Sequence, residues 1–245
     1  MGLGISAAAA YDRAITIFSP DGRLYQVEYA FEAVRQGWTT IGIRGKEGAA
    51  VIVEKRKISP LMDTSPIQKI FKVDDHIGAS FAGIASDGRV LVDYARQLAL
   101  LHRFYYDEPI TVEYLAKQIC DIKQAYTQHA GVRPFGVAVI FVGVDENGPQ
   151  LIMTEPSGRY MSYYAVALGA KSNAATEYLE KHYKYDVPIK ETIKIGISAL
   201  IKALEKKLEA SNLEIGYVDT KTRTFKILST EEIAKYLEEL KEQQT

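Results

Sequence analysis

The stretch SPDGRLYQVEYAFEAVRQG, residues 19–37, predicts a tight turn that leads into an amphipathic helix. Proline, aspartate and glycine at positions 20–22 are the residues that tight turns favour. Apolar side chains then recur at spacings of three and four residues, at Leu24, Val27, Phe31 and Val34. Because this period matches an α-helix and Gly37 is suited to end one, we expect a helix over residues 22–36 with one buried stripe.

The opposite face of this helix carries Tyr25 and Tyr29, which lie four residues apart and therefore stack along the helix. A pair of half-exposed tyrosines would explain them without any partner. Alternatively, a neighbouring molecule contacts this face, since tyrosine combines a large apolar body with a polar tip and suits protein interfaces. The residues themselves leave both interpretations open.

The composition argues against several classes of protein. The 245 residues include 30 basic and 31 acidic side chains without a basic stripe, so we expect no nucleic-acid partner. No apolar run approaches the roughly 18 residues of a membrane span, and MGLGISAAAA lacks the basic start and apolar core of a signal peptide. A single cysteine, Cys120, forms no intrachain disulfide and fits a reducing compartment, so we expect a cytoplasmic protein without membrane contact.

Beyond Gly37, blocks of strands alternate with blocks of helices. Strands are predicted at 39–45, 49–55, 67–73, 76–83, 136–145, 149–156, 160–169 (one strand, or two with a bend), 213–220 and 224–228. Helices are predicted at 88–105, 111–126, 171–184 and 189–210, and after the capping-box pattern STEE at 229–232. Such blocks favour antiparallel sheets covered by helices. We expect one α+β domain over residues 1–245, with two sheets face to face and helices outside each.

No local motif indicates an enzyme, a cofactor or a metal site. The sequence contains no phosphate-binding GxxxxGK[ST] loop, no GxGxxG before a helix and no GxSxG nucleophile turn. The four histidines lie far apart and show no metal-ligand spacing. We therefore predict no catalytic residue, no cofactor and no metal ion.

Several stretches together resemble the α-subunits of proteasomes, especially the archaeal type. The first, YDRAITIFSPDGRLYQVEYA, is similar to the N-terminal signature of that family. Further matching stretches are EKR (54–56), KIFKVDDHI (69–77), RVLVDYAR (89–96) and TQHAGVRPFG (127–136). The resemblance extends over nearly the whole chain. It implies the family's four-layer αββα sandwich, the N-terminal nucleophile hydrolase fold, with an extra N-terminal helix.

The resemblance also implies a function for the helix at residues 22–36. In the family this helix lies across the top of the sandwich, between neighbours in a homo-heptameric α-ring, the outer ring of the 20S core particle. The residues before it form a gate over the axial pore, so residues 1–10 are the expected gate segment. The family's cluster that holds the gate open corresponds to Tyr11, Asp12, Pro20 and Tyr29.

A docking pocket for a regulator is implied in the same way. Lys69 corresponds to the lysine that receives the C-terminal carboxylate of an ATPase regulatory complex. The rest of the pocket wall corresponds to Leu24, Glu28 and Gly83. An ammonium suits a flexible chain end, because it is a point charge with three donors and constrains the approach angle only loosely.

The family's constriction below the gate admits only unfolded polypeptides. It corresponds here to the loop residues His129, Gly131, Val132, Arg133 and Pro134. The sequence departs from the family at His129 and Ala130, where other members carry tyrosine and glycine. Phe31 and Trp38 are also bulkier or less polar than the family pattern suggests.

A catalytic role is the first alternative. The family's β-subunits share the fold and are threonine proteases, in which the first residue of the mature chain is the nucleophile and its α-amine is the base. Thr39, Thr40, Glu54 and Lys69 resemble parts of such a site, but the nucleophile position corresponds to Trp38. The second alternative is a stand-alone scaffold of this fold without a β partner. We expect instead a non-catalytic α-subunit that forms the gated entrance, templates the β-ring and leaves threonine endopeptidase activity to the β-subunits.

Overall fold

The computed structural model describes residues 15–55, 61, 68–206 and 208–242. Within these residues the strands are β1 (Thr40–Gly45), β2 (Gly48–Glu54), β3 (Ile70–Asp74), β4 (Ile77–Gly83), β5 (Val137–Asp145), β6 (Gly148–Thr154), β7 (Tyr160–Ser162), β8 (Ala165–Leu168), β9 (Leu213–Asp219) and β10 (Lys226–Ile227). The helices are α1 (Tyr25–Arg35), α2 (Ala85–Tyr106), α3 (Val112–Ala125), α4 (Ser172–His182), α5 (Ile189–Leu204) and α6 (Thr230–Glu242), with a short 3₁₀ turn at Ala210–Asn212.

The strands form two five-stranded sheets, in which every neighbouring pair is antiparallel. The first sheet has the order β10-β9-β2-β1-β8, and the second has the order β3-β4-β5-β6-β7. The predicted α+β class with two antiparallel sheets is therefore confirmed. The predicted hairpins β1–β2, β3–β4 and β5–β6 also form, and each is joined by a two-residue loop.

The sheets pack face to face, and each carries helices on its outer face. Alternate residues of β2 separate into two layers: Ala49, Val51 and Val53 lie between the sheets, whereas Ala50 and Ile52 lie under the helices of the first sheet. Both faces of the central strands are thus buried. This explains why these strands are almost continuously apolar although the sheets are antiparallel.

The stretch at residues 160–169 forms two strands that belong to different sheets. Residues of β7 pair with β6 at the edge of the second sheet, whereas β8 pairs with β1 at the edge of the first. The sequence left open whether this stretch is one strand or two with a bend. It forms two strands, and the chain crosses from the second sheet to the first between them. Helices α2 and α3 cover the second sheet, and α4, α5 and α6 cover the first.

The ends of several helices agree with the predicted signals. The Thr111 side chain accepts a hydrogen bond from the Tyr114 amide at 3.3 Å, as expected of an N-cap. At the start of α6, Ser229 and Glu232 form the predicted capping box, with distances of 2.7 and 3.2 Å.

The predicted helix at 189–210 is too long. Helix α5 ends at Leu204, because Glu205 adopts a left-handed conformation with φ of 50° and its amide closes on the Ile201 carbonyl. The chain then turns so that Leu208 is buried in the core under the first sheet. Helical periodicity continued past this point, so the break was not visible in the sequence.

Candidate functional site

The predicted turn before α1 is present and closed by hydrogen bonds. The Gly22 amide donates to the Ser19 carbonyl at 2.8 Å, and Gly22 has a φ of +75°. The side chain of Ser19 also accepts from the Arg23 amide at 3.1 Å. Pro20, a residue of the predicted open-gate cluster, lies exposed in this turn. The turn is therefore a defined corner of the backbone directly ahead of α1.

Helix α1 is shorter than predicted and buries a different set of side chains. It covers Tyr25–Arg35, and its fully buried residues are Val27, Ala30 and Val34. Leu24 and Phe31, which we predicted in the same stripe, are only half-buried. The predicted stacking on the opposite face is present, with the rings of Tyr25 and Tyr29 6.4 Å apart. Tyr29 is 50% exposed, so that face is open in the isolated chain.

Two of the four predicted gate-cluster residues, Tyr11 and Asp12, lie outside the described residues, as does the predicted gate segment 1–10. The other two, Pro20 and Tyr29, lie at the start and in the middle of the same turn-and-helix unit.

Lys69 occupies a nearly closed site just before β3. Its side chain is only 9% exposed, and its ammonium lies 4.6 Å from the centre of the Trp38 ring and 4.9 Å from that of Phe81. Burial lowers the pKa of Lys69, and the charge of Glu214 opposes this effect. Lys69 is therefore not an ordinary solvated lysine at the start of a strand.

The other predicted residues of the docking pocket lie on α1 and at the end of β4. A Cβ on Gly37 would lie 2.4 Å from the Gly83 amide nitrogen, so the segment after α1 rests directly on the end of β4. Glu28 is ion-paired with Arg23, and Leu24 is the N-cap of α1. Within the described residues, no hydrogen bond, ion pair or ring contact joins Lys69 to Leu24 or Glu28.

The predicted constriction residues follow α3 and are held by two contacts. The His129 ring nitrogen Nδ1 lies 2.6 Å from the Ala125 carbonyl in the last turn of α3. Arg133 makes a two-pronged ion pair with Asp87 on α2, at 2.6 and 2.7 Å. Gly131 has a φ of +86° and open space around it. Val132 is half-buried and Pro134 is buried, so the tip of the loop is Ala130 and Gly131.

Asp87 is the anchor of this loop. Burial opposes its ionisation, but hydrogen bonds from Arg133 and from the Gly136 amide outweigh that effect, and the pKa of Asp87 is lowered. The carboxylate therefore holds both the middle and the end of the loop at neutral pH. No sequence motif pointed to Asp87.

Lys123 ties the two ends of the same loop together. It is fully buried on α3, and its ammonium donates to the Val137 carbonyl at 3.0 Å and to the Thr154 hydroxyl at 2.8 Å. Residues 126–136 begin directly after α3, which carries Lys123, and end directly before Val137, whose carbonyl Lys123 binds. Burial lowers the pKa of Lys123 to about 7, although Cys120 and Glu155 act in the opposite direction.

A small cleft lies between α1 and the loop. It has a volume of about 160 Å³, and its lining includes Tyr29 and Ala33 from α1 and Arg133 and Pro134 from the loop. Tyr29 of the predicted gate cluster and Arg133 and Pro134 of the predicted constriction therefore line the same cleft.

The threonines at the start of β1 are closed off from solvent. Thr39 and Thr40 are 0% exposed. Within the described residues, the Thr39 hydroxyl has no hydrogen-bond partner, and the Thr40 hydroxyl contacts the Trp38 and Phe81 carbonyls at 3.3 and 3.4 Å. Glu54 is ion-paired with Lys206 at 2.6 Å. Neither hydroxyl is placed to attack a substrate.

One surface feature was not predicted. Large apolar side chains are exposed along the last turns of α2, where Phe104 is 80% exposed. The others are Leu100, Leu101, Tyr105 and Tyr106. A signal was present, since LALLHRFYY continues to carry apolar residues where one buried stripe would need only two or three. Contiguous apolar surface of this kind marks sites of protein interaction.

Comparison with known proteins identifies the relatives of this sequence. The family profile described as "Proteasome subunit" matches residues 34–218, and the profile of the N-terminal signature of A-type proteasome subunits matches residues 11–33. The proteasome alpha subunit of Sulfolobus acidocaldarius is 58% identical over 243 residues, which are 98% of this chain and 100% of that protein. The proteasome alpha subunit of Saccharolobus solfataricus is 55% identical over 236 residues, which are 96% of this chain and 98% of that protein. Among the described residues, no helix is both long and apolar enough to cross a bilayer.

The burial of Lys123 predicts a specific pH dependence of stability. Its pKa falls from the ordinary 10.5 to about 7 on folding, so the unfolded chain binds more protons than the native one between these values. Stability should therefore rise with pH in this window, by up to about 1.4 kcal/mol per pH unit. The difference in unfolding free energy between wild type and Lys123→Met, measured by urea denaturation from pH 6 to 9, should be flat below pH 7 and then increase.

The matched control is Lys117→Met on the same helix. Lys117 is half-exposed and paired with Asp121, which raises its pKa, so this substitution should leave the pH profile between 6 and 9 unchanged. Parallel profiles for wild type and Lys123→Met would mean that Lys123 is not titrating in this window.

Proposed function

Because the chain belongs to the proteasome subunit family and carries its α-type N-terminal signature, we propose that it is a non-catalytic ring subunit that forms a gated entrance to the 20S core. The observation that carries the proposal is the position of α1. The signature spans part of this helix, Val34 near its end packs into the core between the sheets, and Gly37 directly after it rests on the end of β4. The chain acts in this proposal as one α-type domain over residues 1–245.

The environment of β1 supports the absence of catalysis. A threonine protease of this fold needs a nucleophile with a free α-amine. Thr39 and Thr40 are fully buried, and the residue at the family's nucleophile position is Trp38. The sequence ahead of β1 contains the α-type signature at residues 11–33. Threonine endopeptidase activity is therefore assigned to partner β-subunits.

Lys69 is the proposed receptor for the C-terminal carboxylate of an ATPase regulator. Its ammonium is nearly buried, so a carboxylate that reached it would interact through a medium of lower dielectric constant than water. Gly83 lies at the same end of the sandwich, where a side chain is excluded by the Gly136 carbonyl, 2.2 Å from the Cβ position. This wall position is therefore closely packed by backbone, and only glycine fits it unless that backbone moves.

The gate is proposed to respond through the corner at Pro20. A docked tail contacts Leu24 and Glu28 in the first turn of α1 and displaces the adjoining turn, which shifts the residues ahead of it. The hydrogen bonds that close the turn support this idea, because a rigid corner transmits a displacement that a flexible linker would absorb. Tyr11 and Asp12 would then join Pro20 and Tyr29 in the open arrangement.

The loop at His129–Pro134 is the proposed constriction for unfolded substrates. Its anchors at Asp87 and Lys123 support a fixed aperture, since both ends and the arginine in the middle are tied to helices or strands. Arg133 and Pro134 of this loop line the same cleft as Tyr29 of α1, which supports a position of the constriction close to the proposed gate.

Partners follow from the family. We propose a homo-heptameric α-ring that templates the assembly of the β-subunits in the cytoplasm, and the exposed aromatic side chains around Phe104 support a protein partner on that face.

Cys120, whose pKa burial raises to about 11, is consistent with a thiol that serves only in packing. A stand-alone scaffold of the same fold would purify without a β-type chain, whereas the proposed subunit should co-purify with one.

Removal of the gate should activate the core. If the open state is populated at about 10%, deletion of residues 1–10 should raise hydrolysis of a short fluorogenic peptide by the assembled core roughly tenfold, without any regulator. Deletion of residues 243–245 is the control, because it shortens the other end of the chain and should leave the rate unchanged. Equal rates for the wild type and the gate deletion would refute a gate in this segment.

Loss of the Lys69 charge should uncouple the regulator. Lys69→Ala should reduce the regulator-stimulated rate of peptide hydrolysis to the basal rate, while the basal rate itself stays unchanged. Lys72→Ala is matched, because this lysine lies three residues further along, is half-exposed and pairs with Asp75. Full stimulation of the Lys69→Ala core by the regulator would contradict the docking role of Lys69.

A further inference from the structure

The ammonium of Lys69 lies between two aromatic rings and not beside a carboxylate. Its distances to the ring centres of Trp38 and Phe81 are 4.6 and 4.9 Å, which is within the range of cation–π attraction. Trp38 is half-buried in the segment between α1 and β1, and Phe81 is buried on β4. The charge is thus held by π faces that come from two different elements.

The backbone around Lys69 is fixed, while its ammonium keeps its donors available. The Lys69 amide donates to Glu214 at 2.9 Å, and its carbonyl accepts from the Ser80 hydroxyl at 2.8 Å. Within the described part of the chain, the ammonium itself makes no hydrogen bond. A cation–π contact stabilises the charge without using an N–H group, so all three remain for a ligand.

The acid whose charge acts on this ammonium, Glu214, is bound to backbone amides and, in the part of the chain that the structure describes, forms no ion pair with it. Glu214 accepts hydrogen bonds from the amides of Lys69 and Ile70, at 2.9 and 3.3 Å, and among the described residues it forms no ion pair within 4.0 Å of the Lys69 ammonium. A lysine already paired with a carboxylate would have to lose that partner before it could bind another. Here the acid is occupied by the backbone, and an incoming carboxylate meets an uncommitted cation.

We propose that Trp38 is a positioning residue. Its ring keeps the Lys69 ammonium charged and in a fixed position, so that the ammonium can receive a chain-terminal carboxylate. This inference rests on the proposed docking function and assigns to it a residue of the segment that links α1 to β1. Burial lowers the pKa of Lys69 and so makes the charged form costly, while the charge of Glu214 and a π face each offset part of that cost.

Trp38 also provides its own reporter. It is the one tryptophan in the 245-residue sequence, so the tryptophan emission of the full-length chain, excited selectively over its tyrosines, comes from the ring beneath the Lys69 ammonium. A carboxylate that draws the ammonium off the ring should change the emission, whereas a ligand elsewhere should not. The signal therefore tests the site without any substitution.

The experiment uses the assembled full-length chain and a tryptophan-free peptide with the last ten residues of the ATPase regulator from the same cell. Binding is measured with the free carboxylate and with the C-terminal amide. Trp38→Leu keeps an apolar side chain but removes the π face, and should weaken binding of the free carboxylate by about three- to tenfold. Trp38→Phe restores a π face and should bind within about twofold of wild type. In the wild type, the free carboxylate and not the amide should shift the Trp38 emission.

The outcomes separate this inference from the docking function itself. If Lys69→Ala loses binding but Trp38→Leu binds as wild type does, Lys69 is the receptor and Trp38 has no positioning role. Equal weakening by Trp38→Leu and Trp38→Phe would also exclude the π face as the cause. Should Lys69→Ala bind normally, the docking function at Lys69 fails as well. If Trp38→Leu does not assemble, the wild-type fluorescence decides the question. The absence of a carboxylate-dependent change in the Trp38 emission would then overturn the inference.

Discussion

The contact between Gly37 and Gly83 is the constraint on which this end of the molecule depends. A Cβ on Gly37 would lie 2.4 Å from the Gly83 amide nitrogen and 3.0 Å from the carbonyl carbon of Ala82, so nothing larger than hydrogen fits unless the backbone moves. The contact fixes the point at which the chain leaves α1 and enters β1. Since Trp38 is the next residue, its ring is fixed as well, and with it the surface on which the Lys69 ammonium rests.

Two buried lysines show how the same side chain can serve different purposes. Lys123 donates to the Val137 carbonyl and to both oxygens of Thr154, so its hydrogen-bonding capacity is used entirely within the fold. Lys69 is almost as deeply buried, yet it is held by π faces that consume no donor. Burial lowers the pKa of both. Under the proposed docking function, what distinguishes Lys69 from the structural Lys123 is therefore not the depth of burial but the number of donors left uncommitted.

The sequence predicted the layers of the fold better than its details, for physical reasons. Strand blocks, hairpins and helix caps depend on local periodicity and turn residues, and these predictions agree with the structure, as does membership of the family. The end of α5 was misplaced, because the left-handed residue Glu205 is not a residue type that marks a helix end. The allocation of β7 and β8 to different sheets could not be read either, because it depends on long-range pairing.

The candidate site was predictable only through the family resemblance, since its residues come from separated parts of the chain. Lys69, Trp38 and Phe81 meet because β3, the segment before β1 and β4 share one end of the sandwich. The role of Asp87 was not anticipated, because an acidic residue in the first turn of a helix is ordinarily explained by the helix dipole. Only the fold brings Arg133 to it.

A fold that supports catalysis in some chains does not impose catalysis on this one. The decisive difference is what stands at the start of β1. A nucleophile there must be accessible and must have a base, whereas Thr39 and Thr40 are enclosed and Trp38 presents an aromatic ring. The same end of the sandwich that would hold a reacting threonine instead holds a cation beside two aromatic rings. In the proposed function such an end recognises a chain terminus and transmits its arrival, because a bound carboxylate and a displaced helix require no bond to be made or broken.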